Sequence, residues 1–403
     1  MRKFKQTDQT FSYETSLLRE GSYISYPATN PETAPIYLTT AFNVEDLDEL
    51  YERYDERGFC YNRNRNPNRN ALAELMTYTE GGDASAIFSS GMAAISTTII
   101  SLVKSGDHIL SDQTLYGETI EIFTHILGKY NVEVDFVDFT DLNRIREAVK
   151  ENTVLLYTET ISNPMITVPD LSAIAEIAHS NHLYFVVDNT FMTSVGARPL
   201  KFGADVVVNS LTKFANGHSD AVCGAATGKQ ECIDQIYANQ VLLGSTADAF
   251  SSWLVQRGMR TMQLRVEKQM YNAARLAEAL SASPYVKKVY HPSLKSHPQH
   301  ETAIRQFGSK DKCGGIISIV LEDDKTAMNQ FMRKLNLAHY AMTLGGYRTT
   351  LSHPVSSSHY DVPEEDRLKM GITWGMLRIS VGIENTEELI EDFMQALEVY
   401  AEK

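Results

Sequence analysis

Ala204-Asp205-Val206-Val207-Val208-Asn209-Ser210-Leu211-Thr212-Lys213 decides how the chain folds and what it can hold. Its β-branched apolar centre reads as a buried strand. It ends in two hydroxyl residues and a lysine. A lysine at the mouth of a strand, in apolar surroundings, loses hydration, and its pKa falls. Its amine is then free at neutral pH and can condense with an aldehyde. Ser210 and Thr212 offer hydroxyls to a phosphate beside it. Alone, the pattern also describes an ordinary strand end with a solvated lysine.

Three further stretches give it meaning. Leu183-Tyr184-Phe185-Val186-Val187-Asp188-Asn189-Thr190 is another buried strand that delivers an acid at its carboxyl end. Such an acid stays ionised only beside a cation. A protonated pyridine nitrogen is one, and its charge makes the ring an electron sink. Ala86-Ile87-Phe88-Ser89-Ser90-Gly91-Met92 reads as strand, small-residue turn and helix start, where backbone N–H groups bind phosphate. Thr114-Leu115-Tyr116-Gly117 offers a tyrosine to stack on a flat ring. Lysine, acid, phosphate cradle and aromatic lid together specify pyridoxal 5′-phosphate.

Around these stretches the pattern alternates. Strands are predicted at 86–88, 108–111, 132–137, 154–159, 183–187, 206–209 and 222–226, with helices at 92–103 and 170–180 among them. Alternation of this kind means an α/β layer, here with a seven-stranded, mostly parallel sheet. Ligands of such sheets sit beyond the strand carboxyl ends, where all the residues above fall. From about Met262 the pattern changes to a long helix over 266–281, strands at 286–290, 315–321 and 377–381, and helices at 325–335 and 386–400, a smaller α+β lobe. Before residue 66 no clean period appears. Residues 26–35 read as extended loop and 46–54 as a short helix. Three parts follow: an arm over 1–65, a cofactor-binding α/β domain over 66–262, and a C-terminal α+β domain over 263–403.

Several stretches carry a family resemblance. They are Tyr61-Asn62-Arg63-Asn64-Arg65-Asn66-Pro67, Ser89-Ser90-Gly91-Met92-Ala93-Ala94-Ile95, Glu159-Thr160-Ile161-Ser162-Asn163-Pro164, Val187-Asp188-Asn189-Thr190-Phe191, Ser210-Leu211-Thr212-Lys213-Phe214, Gly217-His218-Ser219-Asp220 and Leu377-Arg378-Ile379-Ser380-Val381-Gly382-Ile383-Glu384. In order and content the chain resembles the pyridoxal-phosphate enzymes of Cys/Met metabolism (methionine γ-lyase, cystathionine γ-lyase, cystathionine γ-synthase and O-acetylhomoserine sulfhydrylase). The resemblance implies the aspartate-aminotransferase-like fold, type I among pyridoxal-phosphate enzymes. It implies a homo-oligomer, a dimer of dimers, with Tyr61 and Arg63 of the arm on the cofactor phosphate of a neighbouring subunit. Lys213 would carry the cofactor and move protons, and Asp188 would hold the pyridine nitrogen. Ser90, Gly91, Met92, Ser210 and Thr212 would hold the phosphate. Tyr116 would stack on the ring and protonate the leaving group, and nearby cations would have to lower its pKa for it to act first as a base. Arg378, between apolar neighbours on a strand, needs an anion, and a substrate α-carboxylate supplies one. Asn163 and Thr343 complete the substrate contacts.

The implied activity is elimination at Cγ of a methionine- or homoserine-type amino acid. γ-Replacement by a thiol is the alternative, and a non-catalytic cofactor-binding protein the remote one. The stretch 352–384 looks most like methionine γ-lyase. Two positions depart from those enzymes: Glu118 stands where they often carry cysteine, and Thr343 where they carry serine. Glu118, two residues past the stacking tyrosine, is expected to favour a cationic tail beyond the γ-heteroatom, as cystathionine has in its ammonium and canavanine in its guanidinium.

Composition excludes other classes. A net charge of −14 over 403 residues argues against nucleic acid or an anionic membrane as partner. Cys60, Cys223, Cys232 and Cys313 are scattered, which suits a reducing, cytoplasmic setting without disulfides. The first six residues have no apolar core and read as no signal peptide. No histidine pair at i, i+4 brackets an acid, so a metal hydrolase is not expected.

Overall fold

The computed structural model describes residues 11–21, 31–358, 360 and 363–401. The first ten residues, residues 26–30 of the loop expected over 26–35, and His359 lie outside them. Seven strands form the large sheet: β1 (Ala84–Phe88), β2 (His108–Asp112), β3 (Glu133–Val137), β4 (Thr153–Glu159), β5 (Tyr184–Asp188), β6 (Val206–Ser210) and β7 (Gly224–Gly228). Their order is β1-β7-β6-β5-β4-β2-β3. The pairs from β6 to β3 are parallel, and β7 alone runs against its neighbours. Consequently β1, β4, β5 and β6 all deliver their carboxyl ends to one edge.

The strands hold because both faces are covered. Successive side chains of a strand point to opposite sides. Val206 and Val208 of β6 pack with Ile95 and Ile99 of the helix Gly91–Leu102. Val207, between them, packs with Ile174 and Ala178 of the helix Leu171–Ser180 on the other face. This explains why the run carries no polar alternation: a parallel strand buried on two sides reads as continuously apolar.

The helix Met262–Ala282 leads to a smaller sheet of β8 (Lys288–Tyr290), β9 (Ile316–Val320), β10 (His339–Tyr340), β11 (Thr350–Ser352) and β12 (Met376–Ser380), in the order β10-β11-β12-β9-β8. Expected strands 286–290, 315–321 and 377–381 correspond to β8, β9 and β12. β10 and β11 were not expected, because two or three residues are too short to show a period. The helices Pro67–Glu80, Gln230–Leu243, Ala249–Met259 and His300–Phe307 were also unread. For the first, the signals were present: Asn66 caps it, Pro67 opens it, and Gly81 closes it in the left-handed conformation.

That helix ends in a buried acid beneath the site. Glu80 accepts from Asn209 Nδ2 at 3.0 Å and from Asn189 Nδ2 at 3.4 Å. Burial lifts its pKa from an ordinary 4.5 to about 7. A raised folded-state pKa means a contribution that is full below about 4.5 and lost as pH rises through about 7. The charged form at pH 8 therefore costs about 3 kcal/mol. Urea unfolding of wild type and Glu80→Gln at pH 5 and pH 8 checks this. The wild type should lose ground to the variant as pH rises, and a constant difference would contradict it.

Candidate active site

The four carboxyl ends at one edge frame a cavity of about 350 Å³. Ser90, Gly91, Met92, Tyr116, Glu118, Asn163, Asp188, Ser210, Thr212, Lys213, Thr343 and Arg378 all line it. Twelve of the fourteen predicted site residues thus meet in one place, from stretches far apart in the chain.

Gly224 at the start of β7 pairs with both Phe88 and Ser210. A Cβ there would lie 2.2 Å from Ser90 O, so only glycine lets the turn at 89–91 settle against the start of β7. Ser90 accepts from Ala93 N–H through its Oγ at 3.0 Å and caps the helix. The first helical N–H groups, on Gly91 and Met92, have no such internal acceptor and belong to residues that line the cavity. Thr212 differs from expectation in one respect: its Oγ donates to Cys223 O at 3.2 Å and accepts from Cys223 N–H at 3.1 Å. Its hydroxyl is thus already engaged with the segment that leads into β7.

Asp188 sits at the floor, its Oδ1 accepting from Thr190 N–H at 2.9 Å. Burial pushes its pKa up to about 6. Across the β4–β5 register it faces Glu159, which also lines the cavity and accepts from Tyr116 N–H at 2.7 Å. Burial, and then the neighbouring Asp188, hold the Glu159 carboxyl well above the usual range. Glu159 is a site residue that motif reading passed over. It could be found only from the register that pairs it with Asp188.

Arg378 is buried on β12, donating from Nη1 to Asn163 Oδ1 at 2.9 Å while its Nε has no partner. Burial lowers its pKa to about 10. A buried guanidinium with a free N–H beside a cavity is suited to receive a carboxylate. Lys213 stands between Arg378 and Glu118: burial, then the Arg378 charge, lower its pKa, and Glu118 partly opposes them. Tyr116 moves against expectation. Burial, then the neighbouring Glu118 charge, raise its pKa well up, and Arg378 only partly offsets this. These surroundings favour the protonated phenol.

Tyr61 and Arg63 lie elsewhere. Tyr61 is 47% exposed, and Arg63 donates to Val241 O at 2.7 Å. The neighbouring arginines separate cleanly. Arg69 is buried on the carbonyls of Ala247, Asn62 and Arg63, and Arg65 lies over the Tyr237 ring.

Pyridoxal phosphate can be tested against these groups directly. A buried acid without a cation, a turn of free N–H groups and a lysine of lowered pKa each want a complement, and the cofactor has all of them: a ring nitrogen, a phosphate and an aldehyde. The residues fit the group. The family model for Cys/Met metabolism PLP-dependent enzymes matches residues 14–398. The chain belongs to that family. Among its relatives, a cystathionine beta-lyase of Bacillus subtilis is 40% identical over 374 residues, 93% of each chain. An L-methionine gamma-lyase of Fusobacterium nucleatum is 38% identical over 369 residues, 90% of this chain and 93% of the relative. The crystal structure of cystathionine gamma-lyase from Lactobacillus plantarum, complexed with L-serine, superposes with a TM-score of 0.88 at 30% identity, covering 96% of this chain and 98% of that one. The family member described here is therefore a fold type I protein that uses pyridoxal phosphate. Among the described residues no three His, Cys, Asp or Glu side chains gather as a metal site, the four cysteines are free, and no helix is long and apolar enough to cross a membrane.

Proposed function

We propose that this protein catalyses γ-elimination on an L-amino acid with a heteroatom at Cγ. The net reaction takes the amino acid and water to 2-oxobutanoate, ammonium and the protonated leaving group. The observation that carries this reading is the convergence of Lys213, Tyr116 and Arg378 in one cavity over Asp188. Relatives named as γ-lyases support it.

When bound, pyridoxal phosphate supplies the electron sink that acidifies the carbon acids of an attached amino acid. Asp188 would hold the ring nitrogen protonated, which also relieves the cost of a buried bare carboxylate. The N–H groups of Gly91 and Met92 and the hydroxyls of Ser90 and Ser210 would take the phosphate, and the Thr212 hydroxyl would join them only by giving up its bond to Cys223 O. Arg378, steadied by Asn163, would fix the α-carboxylate and so point the Cα–H at Lys213. The lysine's lowered pKa suits it to take that proton at Nζ and return one at Cγ. Tyr116, protonated and in the cavity wall, would give its phenol proton to the departing heteroatom. Thr343 would flank the substrate chain.

Tyr61 and Arg63 are assigned to the phosphate of a second subunit. The arm around them exposes Leu38, Leu47, Tyr51 and Tyr54, apolar area suited to cover by another copy. Mixing an inactive Arg63→Ala chain with an inactive Lys213→Ala chain should then restore activity, since a mixed pair contains one site with both residues intact. No recovery despite demonstrated subunit exchange would remove the arm from the site. Elimination separates from replacement on O-acetylhomoserine with and without a thiol: 2-oxobutanoate should dominate in both cases, and a thioether product would favour the synthase reading.

A further inference from the structure

The charges of the cavity do not balance within the γ-elimination reading, on which this inference rests. Among the described residues its acidic lining is Glu118, Glu159 and Asp188, and its basic lining is Lys213 and Arg378. Asp188 is matched by the ring nitrogen of the cofactor. Glu159 accepts a backbone N–H, and burial, then Asp188, raise its pKa well above the usual range. Arg378 is matched by the substrate α-carboxylate, and Lys213 by the cofactor aldehyde. Glu118 is left over. None of the ion pairs among the described residues includes it, although Glu121, one turn on, pairs with His125.

Glu118 is exposed on its turn, and it also lines the cavity. Gly117 opens the short helix Gly117–Glu121, and a Cβ on it would meet Ser358 O at 2.6 Å. The segment at 357–358 therefore closes on this turn, and both serines line the same cavity. Glu118 and Tyr116, two residues apart, line the same cavity, and the Glu118 charge acts on both the Tyr116 phenol and Lys213. It thus stands beside the residue assigned to protonate the leaving heteroatom.

We propose that Glu118 is a specificity residue that selects substrates whose leaving group carries one cationic centre, an ammonium or a guanidinium, beyond the γ-heteroatom. A bare alkyl tail leaves the carboxylate unmatched as water is excluded, and an anionic tail meets a like charge. In the preferred substrate the Cγ–heteroatom bond breaks, the electron pair leaves with the heteroatom, and Tyr116 supplies its proton. The cationic tail departs with it, and water completes the release of 2-oxobutanoate and ammonium.

A matched pair of thioethers isolates the charge. S-(2-aminoethyl)-L-homocysteine and S-propyl-L-homocysteine have the same shape and the same leaving sulfur. The quantity measured is the ratio of their kcat/KM values in the holoenzyme, and because it is internal to each variant, losses of folding or loading cancel. Glu118→Gln should lower that ratio roughly ten- to a hundredfold. Glu118→Asp should keep most of it, and Glu118→Lys should shift preference to S-carboxymethyl-L-homocysteine. A ratio unmoved by Glu118→Gln overturns the inference while leaving γ-elimination standing, provided 2-oxobutanoate forms. With L-cystathionine as substrate, whose cysteine half can lose sulfur at Cβ, pyruvate in place of 2-oxobutanoate would instead overturn the γ-elimination reading itself.

Discussion

Lys213→Ala should reduce turnover by roughly 10⁴-fold or more, because one amine both anchors the cofactor and moves the protons. The loss should have a spectroscopic counterpart. The variant should lack the visible absorbance of a lysine-linked pyridoxal, and borohydride treatment of the wild type should fix the pyridoxyl group on the peptide containing Lys213. The physical basis is placement. β6 ends at Ser210, and the turn after it carries Lys213 into a cavity where burial and Arg378 both disfavour its charge. A variant that kept the absorbance band, or a label on any other lysine, would remove Lys213 from this role.

Arg378 should show the second largest effect. Its guanidinium is buried, with one N–H on Asn163 and Nε free. Truncating one partner of a buried charge-assisted contact costs about 2–5 kcal/mol, so Arg378→Leu should lower kcat/KM by roughly thirty- to several-thousandfold. Much of this should appear in KM, since the α-carboxylate is held in the ground state as well as in the transition state. Arg378→Lys keeps the charge but not the planar fork, and should recover only part. Esterifying the substrate carboxylate should erase the difference between wild type and variant. An unchanged KM for the free acid would place the carboxylate elsewhere.

Much of this was legible before any coordinates. The strand ending near Asp188 and the one ending near Ser210 were readable because parallel strands buried on both faces are unbroken apolar runs. Their ends were readable because a lysine and an acid are conspicuous there. The phosphate cradle was readable from small residues ahead of an apolar helix. Other features depend on register and depth, which a linear pattern does not carry. Glu159 looked like one more letter of a motif until β4 and β5 set it opposite Asp188. Glu80 carried no signal in a stretch whose helix went unread, yet it is buried and hydrogen-bonded to Asn189 and Asn209. A fall in the Tyr116 pKa depended on nearby cations, whose weight a linear pattern does not carry; burial and Glu118 outweigh Arg378 and raise it. Glu118 itself was expected to face the departing group, and it does line the cavity beside that tyrosine.

The most direct measurement uses L-cystathionine, whose thioether can be cut on either side. Holoenzyme is incubated with it, and the keto acid is identified together with the thiol. Abstraction at Cα and Cβ of the homocysteine half, followed by loss at Cγ, yields 2-oxobutanoate, ammonium and cysteine, which is the predicted outcome. Pyruvate, ammonium and homocysteine would mean elimination at Cβ and would contradict it.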